Sequence, residues 1–261
     1  MRYLRLYLYF VRFSMSRTFE FRVDFFFRVV MDCVYYAVNI GFFAILYGRT
    51  GLVGGWTEPQ AYAFVCGFLL VDAIQMTLFA NNMWMLPILV NKGDLDYYLV
   101  RPVSSLFFIS LREIAVNSLL NVIIASGLMV WALNLFPGPL GTARIVTYLV
   151  FLANGVLVQF AVRLMLVIPV FWLHSSRGLD ELHFALEQFS ERPHQIYASW
   201  LRRLLLTAVP YALIASVPAH VLFDGLTLER ALQTAVVSVG FCAAAVWFWK
   251  RGLAAYSSAS S

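Results

Sequence analysis

Residues 92–102 read KGDLDYYLVRP, a stretch with charges of both signs and two adjacent tyrosines, Tyr97 and Tyr98. On one side stands AYAFVCGFLLVDAIQMTLFA (61–80), on the other SLFFISLREIAVNSLLNVIIASGLMVWALNLF (105–136). Each flank is long enough to cross a hydrocarbon core, which takes roughly 20 helical residues. The apolar residues run continuously instead of alternating, so the crossing elements are helices and not barrel strands. A polar segment fixed between two such runs belongs at a membrane surface.

The same pattern extends in both directions. Of 261 residues, 61% are hydrophobic and 13% charged, and the mean hydropathy is +0.76, far from the composition of a soluble domain. The fold class is all-α integral membrane protein, with six spans expected at 26–47, 60–80, 106–136, 143–173, 201–223 and 230–250. With both ends cytoplasmic, 15 Lys and Arg fall on the inner side and three, Arg49, Arg144 and Arg230, on the outer side, with Arg163 inside a span. This is the positive-inside pattern. All seven tryptophans fall near span ends, where amphipathic rings meet headgroups. The net charge of +5 is accounted for by orientation, and no nucleic-acid partner is expected. No cleavable signal peptide is expected either, because arginines interrupt the first apolar stretch. Cys33, Cys66 and Cys242 each stand alone in apolar runs and read as packing residues.

Two segments are amphipathic. Over 1–25, Arg2, Arg5, Tyr9, Arg12 and Ser16 recur at steps of three and four, giving an interfacial helix whose arginines Arg2, Arg5 and Arg12 would meet lipid headgroups. A basic flank that only anchors the first span is the alternative. Over 174–200, Leu179, Leu182, Leu186 and Phe189 oppose Asp180, Glu181, Glu187 and Glu191. That predicts a short helix on the cytoplasmic surface, ended by Pro193. The first segment precedes one six-span domain, 26–250, which contains the second and a cytoplasmic loop at 81–105; a short cytoplasmic tail, 251–261, follows.

The chain carries no nucleotide-binding glycine loop, no metal-ligand pair and no nucleophile motif. No catalytic residue, metal or cofactor is assigned to it. Any ATP it uses, with its magnesium, is expected on a separate chain. Asp32, Asp72, Glu113 and Arg163 fall within spans, where ionisable groups face cavities or one another. Asp32 and Glu113 are close enough to span ends for interfacial placement, and Arg163 is expected in a structural ion pair. Asp72, with Gln75 nearby, is the candidate for a polar path through the membrane, a packing role being the alternative. Pro210 and Pro218 in the fifth run predict a kinked or discontinuous element.

The loop at 92–102 has the content of a docking knob, because aromatics and Arg dominate buried contact energy. It also resembles the permease subunits of bacterial ABC-2-type transporters, in a subfamily whose loop reads roughly G-x-L-D-x-x-L-x-R-P. Gly93, Leu95, Asp96, Leu99, Arg101 and Pro102 fill that pattern in register. The passage from Phe171-Trp172 through Pro193, Ile196-Tyr197 and Pro218-Ala219 resembles the subfamily's fourth-to-fifth-span region, and FWKRGLAAYSSASS resembles its usual ending. Ser258 and Ser260 depart from the commoner glycine or alanine there. The resemblance implies a six-span exporter subunit of the bacterial inner membrane, paired with a second copy or a related permease and driven by two cytoplasmic ATPases. It further implies that the N-terminal helix and the loop contact the ATPases and that re-entrant helices between spans five and six close the outer side. The expected ATPase-coupling residues are Gly93, Asp94, Leu95, Asp96, Tyr97, Leu99, Arg101 and Pro102, with Leu95, Tyr97 and Leu99 filling an apolar groove on the partner. For Arg101-Pro102, capping the next helix is the alternative. A rival reading is a non-transporting membrane scaffold with the same fold. The substrate is not legible.

Overall fold

The computed structural model describes residues 2–18, 22–136, 140–175 and 177–257, with the side chains of 3–15, 25–136, 140–175 and 178–257. The expectations for the Arg2 and Ser16 side chains and for Ser258 and Ser260 lie outside these residues.

Helix α1 (Arg2–Thr18) is followed by α2 (Arg22–Tyr47). A loop containing Trp56 leads to α3 (Glu58–Gln75), whose start is fixed by Thr57 N–H donating to Gln60 Oε1 at 2.9 Å. One π-helical stretch, Met76–Ala80, joins α3 to α4 (Asn81–Lys92). Gly93 ends α4 at φ 78°, a left-handed cap that costs glycine little. The one-turn α5 (Asp96–Leu99) carries the tyrosines. Then come α6 (Ser105–Leu111), α7 (Val116–Asn134), α8 (Thr142–Val167), the one-turn α9 (Val170–Leu173) and α10 (Arg177–Glu187). Helices α11 (Ser199–Leu206), α12 (Ser216–Asp224) and α13 (Leu228–Ala255) complete the order.

Among the described residues, five helical stretches are long and apolar enough to cross a membrane: Phe25–Tyr47, Glu58–Lys92, Val116–Asn134, Thr142–Leu173 and Leu228–Ala255. They form a bundle with two ends, one marked by Gly93 and the other by Trp56. The third expected span, 106–136, is two helices broken at 112–115. Four of the break's backbone groups are taken up by side chains or by the π-stretch. Glu113 N–H donates to Asn82 Oδ1 at 3.1 Å and Glu113 O accepts from Asn82 Nδ2 at 2.7 Å. Ile114 N–H donates to Ser14 Oγ at 3.0 Å, and Ala115 N–H donates to the Thr77 carbonyl at 3.0 Å. Burial of the break is thereby tolerated.

The fifth expected span, 201–223, is not a continuous helix. Its residues form α11, a turn ending at Pro210, a 3-10 turn at Tyr211–Leu213, and α12. Pro210 interrupts the ladder as expected. Pro218 does not kink anything, because it is the third residue of α12, where a backbone N–H has no intrahelical partner to lose. The pair re-enters the bundle. The Ile214 carbonyl sits against Gly155 in the middle of α8, while Phe223 stacks on Phe136 and touches Trp56 at the Trp56 end.

The amphipathic segment 174–200 also differs from expectation, since it does not stay at one end. Asn91 Nδ2 donates to the His174 carbonyl at the Gly93 end. Higher up, Arg163 of α8 pairs with Asp180 at 2.7 Å, the expected structural ion pair, and Gln159 Nε2 donates to Glu187 Oε1 at 2.7 Å. Tyr35 donates to Glu191 at 3.3 Å. Gln195 and Ile196 finally pack on Gly54, beside Trp56. The segment therefore runs from one end of the bundle to the other. Its apolar residues Leu186 and Phe189 join the core near Trp56, and its polar residues satisfy α8 and α2.

Two apolar cores result. One, around Trp56, Phe64, Tyr148 and Tyr211, fills the Trp56 half. The other, around Leu86, Leu95, Ile168, Phe171 and Trp249, fills the Gly93 half.

Candidate functional site: a polar cavity joined to the Gly93 loop

A cavity of about 1370 Å³ opens between α1, α2, α3, α7 and the α10 strut. Helical spacing places each wall. On α2, Arg28, Met31, Asp32 and Tyr35 share one face, and on α10 and the residues after it Phe184, Glu187, Gln188 and Glu191 do the same. Phe68 and Asp72 come one turn apart on α3, and Asn117, Ser118 and Asn121 come from the first turns of α7. The floor toward Gly93 is Tyr9, Phe13 and Ser14 of α1, with Arg101, Arg112 and Glu113.

Acidic groups gather in the upper half. Asp32, Glu187 and Glu191 all lie within electrostatic reach of Asp72. Asn121 donates its amide to Asp32. Among the described residues its carbonyl oxygen Oδ1 has no partner, in a residue only 4% exposed. Asp72 lines this cavity. Gln75 does not: it is buried and donates to the Val156 carbonyl at 2.9 Å, tying α3 to α8. Asp32 and Glu113 line the cavity as well. Among the described residues, no three His, Cys, Asp or Glu side chains are placed to hold a metal ion.

The loop below is split between inward and outward residues. Leu95 is 0% exposed and Leu99 half-buried, and both pack into the Gly93-end core. The expected role of Leu95 and Leu99 in a partner's groove is thus corrected. With α4 capped at Gly93, the chain turns these two back onto Leu86 and Trp249, where they anchor the knob. Tyr97 at 71% and Val100 at 82% are exposed, as are Arg101 and Pro102. Asp94 and Asp96 lie half-buried beside the Tyr256 hydroxyl, whose pKa is raised by burial first and then by Asp96 and Asp94. Arg101 stacks over Phe108 at 5.6 Å, and Arg112 both bonds to Tyr98 and stacks over its ring at 4.9 Å. Tyr3 and Phe10 of α1 meet Phe107 and Phe108 edge-on, each at 4.9 Å. Arg5, Tyr9 and Pro102 line a second cavity of about 450 Å³ between α1 and the loop, and Arg5 and Arg12 are exposed.

Tyr98, Arg112, Asn121, Glu187 and Glu191 were not singled out as site residues from sequence. Glu187 and Glu191 were visible as part of the polar face of a helix within 174–200; the position of that face against α2 was not.

The description "ABC-2 family transporter protein" matches residues 33–260. The chain belongs to the ABC-2 transporter family. No curated protein and no solved structure matches it. The family match spans nearly all of the described structure, from α2 through the strut and the re-entrant pair to the end of α13. As an ABC-2 family member it is a multi-pass membrane protein, the permease subunit of an ABC transporter, and it works with ATPase subunits.

Proposed function

We propose that this ABC-2 permease is an exporter subunit, in the subgroup with the G-x-L-D-x-x-L-x-R-P loop, whose cavity is the cargo path. Cytoplasmic ATPases, which hold ATP and magnesium, would dock on Asp94, Asp96, Tyr97, Val100, Arg101 and Pro102, with Gly93 shaping the turn. The carrying observation is the continuity between loop and cavity: the Arg112–Tyr98 bond and the Ser14–Ile114 bond join the docking end to the broken helix that forms the cavity floor. A push on the loop or on α1 acts directly on that wall, as a packed switch requires.

In this reading α2, the π-interrupted α3–α4, α6–α7, α8, the α10 strut and α13 make six crossings in the bacterial inner membrane. The termini are cytoplasmic, and α11–α12 form the outer re-entrant gate containing Pro210 and Pro218. Moving Arg192, Arg202 and Arg203 to the outer end changes the basic balance from 15 against 3 to 12 against 6, still positive inside. A second copy or a related permease completes the path, facing the exposed flank of α2 that carries Phe27, Val34 and Phe42. The N-terminal arginines Arg2, Arg5 and Arg12 hold α1 to lipid headgroups.

The test is affinity purification in mild detergent, wild type against the double variant Tyr97→Ala and Arg101→Ala, followed by cargo-dependent ATP hydrolysis in vesicles. An ATPase recovered with wild type and lost from the folded variant supports docking at the loop. A folded wild-type protein that recovers an ATPase but moves no cargo across the vesicle membrane turns the reading toward a scaffold.

A further inference from the structure

The cavity of about 450 Å³ between α1 and the Gly93 loop differs in charge from the large one beside it. Two arginines reach it from elements far apart in the chain, Arg5 from the first turns of α1 and Arg101 from the end of the loop. Among the described residues no carboxylate lines this cavity, and neither guanidinium is ion-paired or hydrogen-bonded to protein. The Tyr9 hydroxyl, on the same wall, is likewise without a protein partner among them.

Packing, and not an ion pair, holds the two cations in one concavity. Arg101 lies over the ring of Phe108 at 5.6 Å. Phe108 is itself only 8% exposed and is fixed by Phe10 of α1 at 4.9 Å and by Tyr98 at 5.4 Å. On the other side, the Tyr3 hydroxyl accepts from Ser104 N–H at 3.3 Å and pins α1 against the loop. The result is a preformed gap with a basic rim and a surplus of N–H donors. An anion in it would be attracted from both sides.

The rest of the wall says which anion. Guanidinium forks match carboxylate and phosphate oxygens. Leu6, Val103 and Phe108 add an apolar surface, so the occupant is amphiphilic. Leu4, Leu8 and Met15 are exposed and share one helical face that borders the arginine stripe of α1. That face suits acyl chains, which sets Arg5 at the depth of headgroup phosphates. With no carboxylate on the wall, the ammonium of a choline or ethanolamine headgroup would lack a partner and would stand beside guanidinium groups. A headgroup with net negative charge has no such conflict.

We propose that the cavity between α1 and the loop binds an anionic glycerophospholipid, its phosphate held between Arg5 and Arg101 with Tyr9 donating its hydroxyl, and its glycerol end packed on Leu6, Val103 and Phe108. The proposal rests on the reading that α1 lies among headgroups, and it adds one site and one headgroup class. Bound there, the lipid bridges α1 to the loop and shares Arg101 with the ATPase-docking face.

The experiment uses the full chain with its co-purified ATPase in phosphatidylcholine vesicles. These are doped with phosphatidylglycerol or phosphatidylcholine bearing a diazirine at the top of one acyl chain, and the photo-crosslinks are mapped by peptide mass spectrometry. Segments 3–10 and 100–108 of wild type should be labelled at least about fivefold more strongly by the glycerol probe, the worth of one basic side chain at an anionic surface. Arg5→Gln and Arg101→Gln should each lower that label about fivefold. Arg101→Lys keeps the charge without the fork and should lose part of the label. Lys92→Gln removes a charge from the same end without lining the cavity, and should leave the label unchanged. An equal loss in Lys92→Gln, or full retention in Arg101→Lys, reduces the effect to diffuse attraction and overturns the site. Displacement of the label by soluble glycerol phosphate assigns the cavity to a free phosphate and overturns the lipid. Equal labelling of both segments by the two probes sinks the site and leaves α1 among headgroups, whereas no labelling of 3–10 by either probe sinks that placement itself. ATPase recovery is read on the same samples: Arg101→Gln that loses the ATPase but keeps the lipid label confines Arg101 to docking and overturns its share in the site.

Discussion

Gly155→Ala tests whether the re-entrant pair is seated where the structure places it. A methyl group on Gly155 would stand 3.0 Å from both Ile214 C and Ile214 Cα, and closer still to the Ile214 carbonyl oxygen. Carbon pairs settle at about 3.5–4.0 Å, so α8 and the hairpin must separate by roughly 0.5–1 Å. No side chain can turn aside, because the obstacle is backbone on both sides. The cost belongs at the upper part of the overpacking range, about 2–3 kcal/mol, with further loss if Ile214, Ala215 and Val217 pull out of the core. Tryptophan-fluorescence melts in nanodiscs should show a Tm lowered by about 5–10 °C, taking about 2–4 °C per kcal/mol for a chain of this size. Gly127→Ala is the control. Nothing lies within 4 Å of a Cβ there, and removing glycine from the middle of α7 should stabilise by about 0.5–1 kcal/mol. A Gly155→Ala protein melting within about 2 °C of wild type would refute the seating of Ile214 on α8.

Three other changes probe separate links. Asn82→Ala strips partners from both Glu113 N–H and Glu113 C=O, and should cost about 2–4 kcal/mol with faster amide exchange at 113–115; unchanged exchange there would show that the break is not held by Asn82. Leu95→Ala should lower stability by about 2–5 kcal/mol because it opens the Gly93-end core, while Tyr97→Ala, at an exposed site, should leave the melt alone and reduce ATPase recovery; the reverse pattern would invalidate the division of the loop into anchor and face. His194 donates its N–H to Ser216 Oγ at 3.2 Å and its ring nitrogen meets the same hydroxyl at 2.5 Å. Burial first, then His220, Arg202 and Arg230, lower its pKa from 6.5 to about 3. The folded state therefore resists a proton that the unfolded state accepts, and stability should fall as pH drops from about 6.5 toward about 3. His194→Gln should flatten that decline in pH-dependent melts, and an unchanged slope would count against a neutral buried His194.

The long apolar helices were legible because continuous hydrophobic runs admit few other structures in lipid. The α10 strut was misplaced for the same reason. A hydropathy reading sends a segment bearing Asp180, Glu181, His183, Glu187 and Glu191 to water, and it cannot see that Arg163 and Gln159 on α8 supply partners at depth. Conversely, 201–223 is apolar enough to read as a span, yet most of α12 and the 3-10 turn before it is buried in protein. Pro210 carried the one sequence signal for its break. Asp72 was legible as an intramembrane charge. Gln75, one turn away, was assigned the same role, although its side chain leaves the helix toward Val156. Helical spacing fixes the angular offset between the two, and only tertiary packing decides which face meets the cavity.

The broken helix at 112–115 explains why a loop could move a wall without melting the bundle. A continuous α6–α7 helix would have to tilt as one rod, disturbing its packing against α2 and α3 along the whole length. With the break, the proposed push on the loop would carry α6 and the knob with the Gly93-end core, and Glu113, Ile114 and Ala115 would take up the change. Their hydrogen bonds go to Asn82 and Ser14 side chains and to the Thr77 carbonyl of the π-helical stretch, so a shift there strains a few such bonds and not a run of helical ones. The π-helical stretch lies opposite that break on the same cavity wall, where one extra residue per turn already departs from the α-helical ladder. Two adjacent irregularities, one on each neighbouring span and clasped to each other, are where the proposed coupling would bend the wall, and the Ser14–Ile114 bond ties α1 to them.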